Sequence, residues 1–210
     1  MQIIPTLTVL FLSVAVTQAG IVNRILQYIP SLGLGGGNEQ EVSFCNGYDC
    51  PKFEKLEKHD VYEVRKYVPT TWVVTTKSDS GSSTFMKLFY YIQGSNAESK
   101  KIAMTVPVIG NVTHGEGRTT MGFYLPPKVG VPPAPTDATV FIRRLPELTA
   151  YVIEFGGYAN AEKNEAKANE LRTALNEANV QYEKDYYFTA GYDSPMKFWN
   201  RHNEVWFIAK

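Results

Sequence analysis

The sequence is poor in the side chains that most often carry catalysis or hold a metal. Its 210 residues include three histidines, His59, His114 and His202, and two cysteines. No histidine has a second histidine or an acidic residue at metal-ligand spacing, so the pattern favours solvent-exposed histidines. No serine or cysteine lies in a recognisable nucleophile turn, and no glycine-rich segment has phosphate-loop spacing. We therefore predict no catalytic residues, no metal site and no enzymatic activity.

An excess of charge is also missing, because Lys plus Arg and Asp plus Glu each number 21. A neutral chain has no general electrostatic attraction for nucleic acid or for an anionic membrane surface. We therefore predict no nucleic-acid partner. With 44% hydrophobic and 13% aromatic residues, the chain can bury one sizeable core or two small ones.

The sequence lacks an evident membrane span, because its uncharged apolar stretch at residues 3–16 is short for one. Small residues at Thr17 and Ala19 suit signal-peptidase cleavage before Gly20. No basic residue precedes the stretch, so a retained anchor is the alternative. We predict a signal peptide at residues 1–19, secretion, and no integral membrane segment after cleavage.

Two features agree with export. Cys45 and Cys50 form a closely spaced pair, which predicts a small disulfide loop in an oxidising compartment. Metal binding is the competing interpretation, but it needs a second pair of ligands. The tripeptide Asn111-Val112-Thr113 is a glycosylation acceptor in a predicted turn.

Residues 20–41 do not show the pattern of a packed domain. Apolar residues recur at helical spacing over residues 21–29, and Pro30 and a run of glycines then end the pattern. We predict an amphipathic segment and a glycine-rich linker, followed by one folded domain at residues 42–210.

Within that domain the strand and helix patterns recur in the same order. Alternating and β-branched runs predict eight strands, at residues 61–67, 72–76, 102–109, 119–125, 139–145, 149–155, 186–190 and 204–208. A helix follows the second strand, and another at residues 161–178 follows the sixth. Residues 139–145 and 149–155 are predicted to pair as a hairpin. The result is an α+β domain of two duplicated β-β-α-β-β units.

The first helix carries more apolar surface than one contact with a sheet requires. Its stripe consists of Phe85, Leu88, Phe89 and Ile92. Met86, Tyr90 and Tyr91 widen this stripe, so an apolar face remains. Either a loop such as the proline-rich residues 126–135 covers that face, or the face forms the wall of a groove.

Another unusual stretch precedes the last strand. The turn Asp193-Ser194-Pro195 leads to Lys197, which stands among Met196, Phe198 and Trp199. A cation beside aromatic surface suits a flat, apolar, anionic ligand. The alternative is an ordinary loop before a core strand.

Several short motifs together resemble the SOUL/heme-binding protein family. They are YEVRKY (residues 62–67), KIAMTVPV (101–108), FGGY (155–158), GYDSP (191–195) and RHNEVW (201–206). Their order and spacing extend the resemblance from about residue 61 to residue 210. The disulfide loop and the segments before it fall outside the shared domain and suggest a secreted branch.

The resemblance implies a distorted antiparallel eight-stranded β-barrel flanked by two helices. It also implies non-enzymatic binding of heme or related tetrapyrroles, for transport, scavenging or buffering. Carried over to this sequence, the ligand would contact Phe85, Met86 and Phe89 on the first helix. Lys197 would be the cation for a propionate.

Axial ligation of iron does not carry over. Some members of the family have a histidine at the position of Lys66, and a protonated lysine is a poor iron ligand. His202 is the other candidate axial ligand. We therefore expect hydrophobic enclosure with salt bridging. The alternative function is an extracellular module that binds a peptide or a protein in the same groove.

Overall fold

Nine antiparallel strands and two helices form the fold in this computed structural model, which describes residues 43–76 and 81–210. The strands are β1 (Phe53–Lys58), β2 (Glu63–Tyr67), β3 (Thr70–Thr76), β4 (Val108–Thr113), β5 (Gly117–Leu125), β6 (Val140–Leu145), β7 (Leu148–Phe155), β8 (Tyr186–Gly191) and β9 (Asn203–Ile208). The helices are α1 (Gly81–Ile92) and α2 (Ala161–Glu177). The predicted signal peptide at residues 1–19 and the linker at residues 20–41 lie outside the described residues.

The strands form a single curled sheet in the order β1-β2-β7-β9-β8-β4-β5-β3-β6. Without β1, the order is symmetrical about the central β8–β4 pair. The second half of the chain contributes the neighbours β7, β9 and β8, and the first half contributes β4, β5 and β3. The first strand of each half crosses over, so that β2 pairs with β7 and β6 pairs with β3. On the outside, α1 packs on β3 and β5, and α2 packs on β7 and β9. The duplicated α+β fold is confirmed, as a half-barrel with β1 added as a ninth strand.

The predicted hairpin at residues 139–155 is wrong. β6 and β7 follow each other across Pro146, but they do not pair with each other. Trp72 of β3 lies opposite Arg143 of β6, whereas β7 lies between β2 and β9. A period-2 pattern shows which residues form a strand but not which strand is its partner. Here the two-residue connection joins strands that lie in different parts of the sheet.

The strand predicted at residues 102–109 is also misplaced, because β4 covers Val108–Thr113. Ile102 and Val106 are buried as irregular chain that packs beside α1 and the sheet. Pro107 lacks a backbone N–H, and the ladder begins only after it. The predicted turn around Asn111 is therefore a strand, and the turn itself is confined to residues 114–116.

Buried side chains form three clusters that follow this layering. One lies between α1 and the sheet around Leu88 and Phe123, and another lies between α2 and the sheet around Leu171 and Phe207. The third fills part of the concave face around Trp206. In the part of the chain that the structure describes, no helix is long and apolar enough to cross a membrane.

The predicted disulfide between Cys45 and Cys50 is present, with a Cα–Cα distance of 6.2 Å. It closes a short loop directly after Phe44, whose ring stacks on His202 at a centroid distance of 4.1 Å and meets Tyr192 edge-on at 4.9 Å. The disulfide loop is thereby attached to the segment between β8 and β9.

Candidate functional site

A groove of about 260 Å³ lies between α1 and the turn that follows β8. Phe85 and Phe89 of α1 line one wall, and the turn at residues 191–195 lines the other. Met104, Val106 and Val108 form the floor, and Tyr48 of the disulfide loop stands at the edge. Two stretches that the sequence singled out separately thus meet in one site.

The aromatic wall follows from the spacing of α1. Phe85 and Phe89 are four residues apart and therefore share one face of the helix, with ring centroids 6.0 Å apart and planes inclined by 18°. Both side chains are half-buried, and Phe85 packs behind the groove on Phe123 at 5.1 Å. This pair offers a flat apolar surface of the kind that a macrocycle can contact.

The other apolar face of α1 is covered by the proline-rich loop. Tyr91 is buried, and its hydroxyl donates to the carbonyl oxygen of Pro133 at 2.9 Å. The backbone N–H of Ala97 also donates to the carbonyl of Ala134. Both alternatives for the wide stripe therefore hold, each for a different side of the helix. Met86 is half-buried but does not line the groove.

The turn beside the groove is fixed by the carboxylate of Asp193. Its Oδ1 accepts from Lys197 Nζ at 2.5 Å and from Asn46 Nδ2 at 3.0 Å, and its Oδ2 accepts from the backbone N–H of His202 at 2.6 Å. Burial alone would favour the neutral acid, but these bonds outweigh it and lower the pKa of Asp193. The turn is thus held in place before any ligand arrives.

Lys197 is not a free cation in this arrangement. Its ammonium group is paired with Asp193, and its side chain remains 31% exposed at the edge of the loop, outside the groove wall. To bind a propionate, the Lys197 ammonium group would have to contact Asp193 and the propionate together or give up its ion pair with Asp193. Arg201 also ties the loop together, because its Nη1 donates to the carbonyls of Ser194 and Lys197, each at 2.7 Å.

Three large apolar side chains extend from this loop into solvent. Met196, Phe198 and Trp199 are 79%, 70% and 73% exposed. They come directly after Pro195, which lines the groove. Contiguous exposed apolar surface of this kind marks sites that contact a ligand or another molecule.

Neither candidate axial ligand lies on the groove wall. Lys66 is half-buried on β2, and its ion pair with Glu147 at 2.9 Å raises its pKa, which keeps the amine protonated. His202 is largely buried rather than solvent-exposed, so the expectation from its polar neighbours was wrong. Its Nε2 lies 2.7 Å from Glu204 Oε1. Axial ligation by either residue stays a prediction that this geometry does not favour.

A family model described as SOUL heme-binding protein matches residues 48–208. The chain belongs to the SOUL heme-binding protein family. It is 40% identical over 160 residues to heme-binding protein 2 of Homo sapiens, covering 71% of this chain and 78% of that protein. Heme-binding protein 2 of Mus musculus is 34% identical over 196 residues, or 86% and 93% of the two chains. Heme-binding protein 1 of Mus musculus is 38% identical over 185 residues, or 83% and 88%.

Behind the loop, this SOUL-family chain contains a buried charge cluster that sequence reasoning missed. Glu204 is fully buried, and its two oxygens accept from Arg65 Nη1 at 2.8 Å, Tyr192 Oη at 2.8 Å and Trp206 Nε1 at 2.7 Å, beside His202. Burial would favour the neutral acid, but the His202 contact and the charge on Arg65 hold the pKa of Glu204 below its usual value. Residues two apart in a strand face the same side of the sheet, so Glu204 faces the same side as His202 and Trp206. This alternation was the signal in the sequence that could have indicated a buried glutamate.

Arg65 occupies the centre of this cluster. Besides Glu204, its guanidinium donates to Glu63 at 2.8 Å and to Glu154. Ligand atoms of Glu154, His202 and Glu204 lie within 4.8 Å of one another, a spacing that could hold a metal ion. Because Arg65 already supplies positive charge to both carboxylates, the cluster is satisfied as an ion-pair network.

The same cluster predicts a loss of stability at alkaline pH. Burial, reinforced by the charge on Glu204, raises the pKa of both Tyr67 and Tyr192 well above the usual 10. A raised pKa in the folded state stabilises the fold below the unfolded pKa, and that contribution is lost as the pH rises above about 10. We expect the unfolding free energy to fall above about pH 10, by up to about 1.4 kcal/mol per pH unit for each tyrosine.

Urea unfolding followed by circular dichroism across this range measures the effect. The double substitution Tyr67→Phe/Tyr192→Phe should flatten the alkaline slope. Tyr48→Phe, at an exposed position, is the control and should leave the slope unchanged. An identical slope in the double variant and the wild type would show that other groups carry the pH dependence.

Asn111 lies in β4 rather than in a turn, and its side chain lines a cavity on the concave face of the sheet. Its Oδ1 is buried and has no hydrogen-bond partner among the described residues. Glycosylation of Asn111 stays a prediction, and a glycan there would have to pass through that cavity.

Proposed function

We propose that this chain binds heme or a related tetrapyrrole without chemical conversion, in the groove between α1 and the turn at residues 191–195. The observation that carries the proposal is the juxtaposition of the Phe85–Phe89 wall with that turn in one groove. Membership of the SOUL heme-binding protein family supports the ligand class. The relatives are named as heme-binding proteins, which supports a binding function rather than an enzymatic one.

The size of the groove indicates how such a ligand would lie. Its volume of about 260 Å³ is below the usual range of about 300–1,000 Å³ for pockets that enclose a small molecule. A macrocycle would therefore lie across the groove with one edge in solvent, and the exposed Met196, Phe198 and Trp199 would extend the apolar contact. Hydrophobic contact and salt bridging would supply the affinity, with no axial ligand.

A spectroscopic titration of the mature chain with ferric heme and with metal-free protoporphyrin tests the proposal. We expect saturable one-to-one binding of both, with similar affinities, because neither candidate axial ligand, Lys66 or His202, lines the groove. Binding of heme alone with a shifted Soret band would instead require an axial ligand, and His202 and Lys66 would be substituted first. Absence of saturable binding of either compound would refute the proposal.

The role of Lys197 has a separate test. Lys197→Ala should weaken binding of dianionic protoporphyrin by up to about fivefold, since a partly exposed ion pair contributes at most about 1 kcal/mol. Binding of the dimethyl ester should change less. Equal losses for acid and ester in Lys197→Ala would eliminate the propionate role.

One observation favours a second function, an extracellular module that binds a peptide or protein. The side chains of Met196, Phe198 and Trp199 are exposed and together form an apolar surface. A surface of this kind is typical of a site that binds another protein. If neither porphyrin binds, a protein partner becomes the leading explanation for this surface.

We also propose that the protein is secreted and acts as a scavenger or carrier of its ligand. The apolar residues 3–16 and the Cys45–Cys50 disulfide support export. Expression of the full chain in animal cells tests this, with a mature N-terminus at Gly20 expected in the medium. Retention of the intact chain in the membrane fraction would favour the anchor.

A further inference from the structure

The concave face of the curled sheet contains a second cavity, with a volume of about 290 Å³. Its walls share no residue with the groove beside α1. Val108 of β4 lines the groove, whereas the next residue, Ile109, lines the cavity. Successive residues of a strand face opposite sides of the sheet, so the two sites lie on opposite faces.

The walls of this cavity are mainly apolar and partly aromatic. The apolar side chains are Trp72, Val74, Ile109, Leu145, Leu148 and Phe188. The indole N–H of Trp72 donates to Thr70 Oγ1 at 2.8 Å, so the ring presents only apolar surface to the cavity. Gly122 leaves room at the wall, because a Cβ there would lie 3.1 Å from Ile109 Cγ1.

Two polar groups in this wall form no hydrogen bond or ion pair with a described residue, although the charge on Arg143 is close enough to Tyr186 to act on the pKa of its hydroxyl. Arg143 lines the cavity from the edge strand β6, directly opposite Trp72 in the register, and is exposed to solvent. Its guanidinium forms no ion pair with any residue in the described ranges 43–76 and 81–210. Asn111 Oδ1 is buried and unpaired within the same ranges. A single cation on an apolar wall complements a single anionic group on an apolar ligand.

We propose that this cavity binds a small aromatic carboxylate, with its ring against Trp72 and Phe188 and its carboxylate on Arg143. A guanidinium can pair with a carboxylate through two parallel hydrogen bonds, which fixes the orientation as well as the charge. The volume of about 290 Å³ is just below the usual range of about 300–1,000 Å³, so a ligand that is enclosed in this cavity has to be compact. The inference does not depend on tetrapyrrole binding, because that groove lies on the other face.

Calorimetric titration of the wild-type chain with naphthoate and with naphthamide tests the proposal. The two probes share one ring system and differ in charge. We expect one-to-one binding of naphthoate, up to about fivefold tighter than naphthamide, because solvent screens a charge pair at an exposed guanidinium. No saturable binding of naphthoate, or equal affinities for the two probes, would overturn the proposal.

Arg143→Gln should reduce naphthoate affinity to that of naphthamide and leave naphthamide binding unchanged. Arg144→Gln is the matched control, because Arg144 is the next residue of β6, is also exposed, and faces the other side of the sheet. Equal losses in the two variants would show only a general charge effect and would overturn the assigned contact.

A third measurement separates this site from the tetrapyrrole groove. Leu145→Trp adds volume at a half-buried position of the cavity wall and should abolish naphthoate binding. Protoporphyrin binding should be unchanged in Leu145→Trp and in Arg143→Gln. Displacement of naphthoate by protoporphyrin at one-to-one stoichiometry would show a single shared site and would refute the second one.

Discussion

Replacing Arg65 with methionine should lower the unfolding free energy by about 3–5 kcal/mol, the usual cost of leaving a buried charge without its partner. Arg65 is 1% exposed, and it compensates Glu63, Glu154 and the fully buried Glu204. Methionine retains the apolar part of the side chain but supplies no charge, so it also loses the contact of the guanidinium with the ring of Phe53. Denaturant unfolding at neutral pH measures the loss.

Arg144→Met is the control for this prediction, because it removes an arginine from an exposed position of a strand. Its effect should stay within about 0.5 kcal/mol. The double variant Arg65→Met/Glu204→Gln should recover part of the loss, since it removes the carboxylate that Arg65 leaves uncompensated. If Arg65→Met costs no more than Arg144→Met, the cluster does not stabilise the fold.

Removing both rings from the groove wall should weaken protoporphyrin binding by about 30- to 160-fold. Each half-buried phenylalanine contributes roughly 1–1.5 kcal/mol of apolar contact when a ligand covers it. Phe85→Ala/Phe89→Ala tests this by fluorescence titration. Tyr90→Ala is the control, because Tyr90 is on the same helix but is exposed and lines no part of the groove.

The stability of the fold has to be separated from binding in that experiment. Phe85 also packs on Phe123, so its loss affects the core behind α1. Phe89→Ala alone is the second variant, with an expected loss of about tenfold and folding checked by circular dichroism. Unchanged affinity in Phe89→Ala would mean that the ligand lies elsewhere.

The groove, the loop and the disulfide form one connected arrangement. Tyr48 lines the groove, Asn46 donates to Asp193, and Phe44 stacks on His202. The disulfide loop thus contributes contacts to the candidate site although the family resemblance began only after it. Its position could not be derived from sequence, because contacts across 147 residues leave no local pattern.

The sequence by itself determined the elements whose signal is local. The apolar stripe of α1 and the duplicated order of strands and helices both follow from periodicity. Cysteine spacing determined the disulfide loop, and the ordered motifs determined the family. Each of these features depends on residues close together in the chain or on motifs at a characteristic spacing, and both are visible in the sequence itself.

Only the tertiary structure decided the features that depend on partners distant in the chain. It paired β6 with β3 instead of β7, and it joined Lys197 to Asp193. It also brought Arg65 against Glu204 from 139 residues away. A buried charge is tolerated only where an opposite charge and hydrogen bonds meet it. No single stretch of sequence contains that information, because the compensating groups come together only when the sheet curls.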